Sequence, residues 1–213
     1  MKQNVDWLFF DVGNTLVCEW EPDEERIRIV EKKLRELGRP MDFYALMHRM
    51  LDASRRFAPS PFYQTVEELG IEEWIGFNKP LEKPYPYAKE VLDQLSAQYH
   101  IGIIANQPAG TAQRLKEYGL DEHIEVCISS TEEGVSKPDP AIYCLGLERA
   151  NCAPERAMMI GDRLDNDVFP AKSVGMKTLW VRQGWGAAQS APSSGYEPDL
   201  SADSIFDLPA ILL

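Results

Sequence analysis

Four short stretches hold most of the side chains in this chain that could do chemistry. The apolar run Trp7-Leu8-Phe9-Phe10 ends abruptly on Asp11 and continues as Val12, Gly13, Asn14 and Thr15. The run Ile103-Ile104-Ala105 ends on two amides, Asn106 and Gln107. Ser136-Lys137-Pro138-Asp139-Pro140 places a lysine in a loop fixed by two prolines, and Ile160-Gly161-Asp162 opens a segment that also carries Asp165 and Asp167. Acids brought together repel unless a cation lies between them, and a hard divalent ion held by oxygens, most naturally Mg²⁺, meets that need. Lys137 adds the positive charge that a phosphoryl group or an anionic intermediate requires.

Each stretch taken alone has a plainer reading. Asp11 and Thr15 could cap the next turn, Asn106 could be a turn residue, and Lys137 could be a solvated lysine. The acids from Asp162 to Asp167 could balance a helix dipole. What favours chemistry is that the four follow one another in this order, each after its own apolar strand. In an open parallel sheet the carboxyl ends of the strands lie along one edge, where ligands bind, so the stretches should converge on Asp11.

The elements that must position them are legible. From Val91 onward the chain alternates helix and strand, with strands at Ile101–Ala105, Ile124–Ile128, Ala157–Ile160 and Thr178–Val181. Continuously apolar strands in such an alternation predict a parallel sheet covered on both faces. Between the first and second stretches the pattern is purely helical. Pro22-Asp23-Glu24-Glu25 starts a helix that runs to about Leu37, with Ile27, Val30, Leu34 and Leu37 on one face and Gly38 as the stop. Asp42 caps a second helix with Phe43, Leu46, Met47, Met50 and Leu51 inward, and a third follows the Pro-Ser-Pro turn at 59–61. The segment from Lys79 to Pro86 holds three prolines and marks the return to the sheet. This divides the chain into a core, residues 1–17 and 83–213, and an all-helical insert, residues 18–82. Residues 183–194 read as a surface loop, and a last short strand or helix takes in Ile205, Leu208 and Ile211.

Composition excludes other classes. The chain of 213 residues has 22 basic and 34 acidic residues, a net charge of −12, which disfavours a nucleic-acid partner. Cys18, Cys127, Cys144 and Cys152 show no C-x-x-C pairing and no zinc-finger spacing, so neither a metal knuckle nor a disulfide framework is indicated, and a reduced, cytoplasmic setting is expected. No leader is recognisable at the N-terminus, and no apolar run approaches the roughly 18 residues needed to span a bilayer, so no membrane is implied.

The order Asp-x-x-x-Thr, Asn-Gln, Lys-Pro-Asp-Pro and Gly-Asp-x-x-x-x-Asp resembles the haloacid dehalogenase superfamily of hydrolases, most of whose members are Mg²⁺-dependent phosphatases. The resemblance covers nearly the whole chain. It implies an α/β fold, a Rossmann-like parallel sheet core of three layers (α/β/α), with the helical insert as a cap. It further implies that Asp11 is the nucleophile, forming an aspartyl-phosphate that water hydrolyses. Mg²⁺ would be held by the carboxylates of Asp11 and Asp162 and by the main-chain oxygen of Gly13, with Asp167 behind them or bound through water. Thr15 would orient the first loop and Lys137 would balance charge. Asn106, with nearby backbone N–H groups, would hold phosphate oxygens, and the substrate would be a small phosphorylated metabolite.

Two positions depart from the pattern. The usual phosphatase has a second Asp two residues after the nucleophile, which protonates the leaving group and activates water; this chain has Gly13. General acid–base help is worth about 10²–10⁴-fold, so turnover should be slow or restricted to good leaving groups unless water or a cap-side group such as Glu19 takes over. Ala105 stands where a phosphate-binding Ser or Thr is usual, a loss that Asn106 and Gln107 would offset in part. Three readings follow: a phosphatase, a metal-independent 2-haloacid dehalogenase, and a catalytically weakened protein that binds phosphate or a partner. In the cap, Trp20, Tyr44, His48, Tyr63 and Trp74 could line a substrate pocket or simply pack. His48, off the apolar stripe, is expected to be solvated.

Overall fold

The computed structural model describes residues 4–213. Strand β1 (Trp7–Phe10) is buried along its whole length, and its side chains alternate between two cores. Leu8 and Phe10 join one with Ile101, Ile103, Met158 and Ile160; Trp7 and Phe9 join the other with Ile104, Ile128, Tyr143 and Met159. A strand apolar on both faces is stable only inside a sheet covered on both sides.

A two-residue strand β2 (Val17–Cys18) follows, then the helices α1 (Trp20–Glu36), α2 (Phe43–Arg55) and α3 (Pro61–Glu68). Strand β3 (Lys83–Pro84) pairs antiparallel with β2, Val17 opposite Pro84 and Cys18 opposite Lys83, so the chain leaves and re-enters the core at one place. The three helices have a core of their own around Ile27, Leu34, Leu46, Met50 and Phe62. Their ends are capped locally: Asp42 accepts from the Ala45 N–H at 2.8 Å, and Ser60 accepts from the Tyr63 N–H ahead of α3. Helix α1 begins at Trp20, two residues before the expected start, because Pro22 fits in a first turn whose N–H groups have no partners to lose.

The remaining elements alternate: α4 (Ala88–Leu95), β4 (His100–Ala105), α5 (Thr111–Glu117), β5 (Ile124–Ser129), α6 (Ser130–Glu133), α7 (Pro140–Arg149), β6 (Ala157–Gly161), α8 (Phe169–Ser173), β7 (Lys177–Val181), β8 (Leu200–Ala202) and α9 (Leu208–Leu212). The main sheet has the order β5-β4-β1-β6-β7-β8, all parallel. Leu92, Leu115 and Leu208 bring α4, α5 and α9 to one face; Ile142 and Ala171 bring α7 and α8 to the other. The expected three-layer parallel architecture is therefore present. No helix among the described residues is long and apolar enough to cross a membrane.

Two local expectations change. Strand β8 is an extra edge strand before the last helix. The predicted surface loop at 183–194 is partly built in, with a 3₁₀ turn at Trp185–Ala188 and with Gly186 and Gln189 buried. Its Gly, Ala and Ser content suggested solvent, but Trp185 and Gln189 bond to the helical insert: Ser54 Oγ donates to the Trp185 carbonyl at 2.7 Å, and Gln189 Nε2 donates to the Ser54 carbonyl at 3.4 Å.

Candidate active site

The adjacency of β4, β1 and β6 brings three of the four stretches to one edge. Pairing continues one residue past β1, where the Asp11 N–H donates to the Ile160 carbonyl at 2.9 Å. The chain then turns tightly: the N–H groups of Leu16 and Val17 both reach the Val12 carbonyl at 2.9 Å. Asn14 takes a left-handed conformation with φ 53°. Beyond β6, Leu164–Val168 form a wide π-helical turn rather than the start of a regular helix. That turn folds Asp167 back over Gly161, where a Cβ would lie 2.3 Å from the Asp167 carboxyl carbon. Only glycine leaves the acid its place.

Lys137 reaches in from the fourth stretch. Its Nζ lies 2.5 Å from Asp11 Oδ1 and 2.6 Å from Asp167 Oδ1, and all three side chains are buried. Burial works against the lysine's charge, but the two carboxylates outweigh it and hold its pKa above the usual range. Asp11 is pushed up to about 6, by burial first and by Asp167, against the opposing pull of Lys137. Asp162 is pushed well above the ordinary carboxylate range by burial, Asp167 and Asp11.

Asp11, Asp162 and Asp167 each offer an oxygen within 4.8 Å of the others. Lys137 compensates two of them directly, and Asp162 has no cation in contact among the described residues. The donor set, three carboxylates in a buried cluster against the single charge of Lys137, is two positive charges short and fits a hard divalent ion such as Mg²⁺. Asp167 has both oxygens engaged, Oδ1 by Lys137 and Oδ2 by the Arg163 N–H at 2.9 Å, which suits a supporting position behind Asp11 and Asp162.

The other expected residues are placed as follows. Thr15 is fully buried and its Oγ1 has no hydrogen-bond partner; the first loop is braced by its own backbone bonds and by Gln183 Nε2, which donates to the Asn14 carbonyl at 3.0 Å. Asn106 spends both ends of its amide on Lys137, donating to its carbonyl and accepting from its N–H, each at 2.8 Å. It therefore anchors the lysine as well as lining the cavity. Gln107 lines the cavity too, its Oε1 accepting from Lys79 at 2.9 Å and Arg114 at 2.6 Å. Ala105 is fully buried behind them.

At Gly13 the missing side chain's space is taken. A Cβ there would stand 2.7 Å from Glu19 Oε1 and 2.9 Å from the carboxyl carbon of Glu19. Glu19, immediately ahead of α1, is steadied by Asn14, whose Nδ2 donates to Oε2 at 3.3 Å. Its pKa is pushed up to about 8 by burial and by Glu82, with Lys79 opposing.

The cavity over these groups, about 250 Å³, is roofed by the helical insert through Asp23, Arg26, Met50, Ser54 and Phe62. The cap aromatics considered from sequence lie elsewhere: Tyr44 and Trp74 are 73 % and 75 % exposed, Tyr63 stacks on Trp74 and donates to the Ile75 carbonyl, Trp20 packs near Phe43, and His48 is exposed. Sequence reasoning missed Asp23, Arg26 and Trp185. Asp23 and Arg26 sit three apart on α1 among ordinary helix charges, and only the fold turns that face toward the sheet.

A parallel α/β core with a buried Asp after its first strand and a lysine-bridged carboxylate cluster beside it is the frame of a class of hydrolase. The chain belongs to the haloacid dehalogenase-like hydrolase family, which matches residues 5–175. It is similar to the glyceraldehyde 3-phosphate phosphatase of Pyrococcus furiosus, 31 % identical over 83 % of this chain and 80 % of that protein. It is also similar to the pyrimidine 5′-nucleotidase YjjG of Escherichia coli, 30 % identical over 97 % of both. Among solved structures, the HAD phosphatase of Thermococcus onnurineus aligns with a TM-score of 0.65 at 25 % identity, covering 100 % of this chain and 98 % of that one.

Proposed function

We propose that this chain is a Mg²⁺-dependent phosphatase of small phosphomonoesters that works through an aspartyl-phosphate on Asp11, with Glu19 supplying the proton transfer that Gly13 cannot. The observation that carries the reading is the meeting of Asp11, Asp162 and Asp167 oxygens within 4.8 Å, with Lys137 Nζ 2.5 Å from Asp11. The phosphatase names of the relatives support the reaction class.

Mg²⁺, bound by Asp11, Asp162 and the Gly13 carbonyl, would offset the charge of the carboxylates and of the phosphoryl oxygens. The protein's own groups account for the rest. A carboxylate oxygen of Asp11 attacks phosphorus, and the bond to the ester oxygen breaks. Glu19, protonated, gives its proton to that departing oxygen. A water then attacks the aspartyl-phosphate while Glu19 takes back a proton, releasing inorganic phosphate and restoring Asp11. Lys137 stays charged and steadies Asp11 and the transferring phosphoryl group. Asn106 keeps the lysine in place.

The test is hydrolysis of p-nitrophenyl phosphate in Mg²⁺ and in EDTA, with trapping of the phosphorylated protein. Turnover should require Mg²⁺, disappear in Asp11→Asn, and pass through a covalent phosphate on Asp11. Equal rates in EDTA end the metal mechanism; phosphate binding with no covalent species favours the binding-protein reading.

A further inference from the structure

Beside the cavity lies a charged cluster, Lys79, Glu82 and Arg114, that the reaction at phosphorus does not use directly. Glu82 is buried and stands between the two cations: its Oε1 is 2.6 Å from Lys79 Nζ, and its Oε2 is 3.7 Å from Arg114 Nε. Both cations also turn to one neutral atom. Lys79 Nζ donates to Gln107 Oε1 at 2.9 Å, and Arg114 Nη2 donates to the same oxygen at 2.6 Å. Two cations against one acid leave the cluster a net positive charge, which bears on that oxygen.

The two cations decide which end of the amide meets the cavity. Turned over, the amide would set its own N–H groups against both of them, so its oxygen is held toward the cluster and its nitrogen away from it. Gln107 lines the cavity and is 8 % exposed. Its Nε2 donates to no acceptor of the protein among the described residues, yet it is not one of the closed-off atoms that lack a partner. The nitrogen is therefore an accessible donor. Other donors on the cavity, those of Asn14, Arg26, Asn106, Arg163 and Trp185, already have acceptors within the protein.

We infer that Lys79 and Arg114, joined by Glu82, are positioning residues that aim Gln107 Nε2 at a phosphoryl oxygen, where it supplies the donor that Ala105 lacks. This rests on the phosphatase reading, which puts the phosphoryl group beside Asp11 and Lys137. With one phosphoryl oxygen toward the metal and one toward Lys137, the third needs a donor of its own. Cations behind the amide oxygen polarise the group and strengthen its N–H groups toward an anion. The amide itself is neutral, so no bare charge faces the cavity before phosphate arrives. Lys79 lies on the segment that returns from the three helices to β3, whereas Gln107 and Arg114 follow β4, so the grip on phosphate depends on that return segment.

The experiment titrates inorganic phosphate into the protein in Mg²⁺ by calorimetry and measures kcat and KM for p-nitrophenyl phosphate, with melting curves for every variant. A hydrogen bond to a charged group corresponds to roughly 10- to 100-fold in affinity. Gln107→Leu should weaken phosphate binding by about that factor. Gln107→Glu gives the two cations a carboxylate and turns an acceptor toward the cavity. It should melt at or above the native temperature while phosphate binding falls by at least about tenfold, a combination that a merely structural role does not produce. Lys79→Met and Arg114→Met should each weaken phosphate by roughly 3- to 10-fold, in KM more than in kcat. In the Gln107→Leu background, Lys79→Met should cause no further loss, because its effect passes through the amide. Unchanged phosphate binding in Gln107→Glu, or losses from Lys79→Met and Gln107→Leu that simply add, overturns the inference, while Mg²⁺-dependent turnover by the native protein keeps the phosphatase reading. A native protein that neither binds phosphate nor turns over removes both.

Discussion

The carboxyl group of Glu19 stands in the volume that a side chain on Gly13 would fill, its Oε1 2.7 Å from the position of the absent Cβ. The glycine and the glutamate are therefore one arrangement: a longer side chain from the edge of the cap enters the place of a shorter one from the strand loop. The carboxyl arrives beside Asp11 from the part of the molecule that roofs the cavity.

Exchange at this pair should be reciprocal. Glu19→Gln keeps the shape and removes the proton, so alkyl phosphates, whose leaving oxygen needs protonation, should slow by about 10²–10⁴-fold, while p-nitrophenyl phosphate falls far less. Gly13→Asp alone must swing the Glu19 carboxyl, the far end of a flexible side chain, out of the place it now fills, and should lower alkyl phosphate turnover. Joined to Glu19→Ala, it should recover alkyl phosphate turnover. Equal losses on both leaving groups in Glu19→Gln would assign Glu19 a packing role only.

Among the described residues, Lys137 is the sole cation in contact with the two buried acids Asp11 and Asp167. Lys137→Met leaves both uncompensated, and removing one partner of a buried pair costs about 3–5 kcal/mol. Urea denaturation in EDTA should show a loss of that size. Asn106→Ala, which frees only the lysine's backbone anchors, should lower activity with a smaller stability change.

Mg²⁺ should stabilise the protein by mass action, by about 2.7 kcal/mol at a hundredfold excess over Kd, read as a rise in melting temperature. Asp162→Asn removes one buried like charge. It should melt higher than the native protein in EDTA, and adding Mg²⁺ should no longer raise its melting temperature. A native-sized Mg²⁺ response in that variant places the ion elsewhere.

Among the four free cysteines, Cys127 on β5 is pushed up to about 11, by burial first and then by Glu132, while Cys144 is exposed. A thiol reacts as its thiolate, so the raised pKa means slower alkylation at neutral pH and a rate that climbs only as the pH nears 11. Iodoacetamide at pH 7.5, followed by mass spectrometry, should label Cys144 well before Cys127.

Much of this molecule is written in local pattern. Apolar runs such as Trp7–Phe10 and Ala157–Ile160, each ending on a polar turn, can only be central parallel strands, and parallel strands bring Asp11, Asn106 and Asp162 to one edge. Stops at Gly38 and the prolines near residue 80 similarly mark the helical insert. The parallel α/β architecture held because its strands each depend on residues close together in the chain.

What sequence left undecided depends on distant segments meeting. The Gly, Ala and Ser of residues 183–194 suggested a solvated loop, yet Trp185 joins Asp23 and Ser54 from more than a hundred positions away. Asn106 reads from sequence as a phosphate ligand; that its amide also holds the backbone of Lys137 is visible only in the fold. The types and order of the reactive residues, and the sheet that carries them, were determined by the chain alone. Tertiary structure decided that Glu19 enters the space over Gly13 and that Asp23 and Arg26 line the cavity, because long-range packing sets which face of a helix meets which strand end.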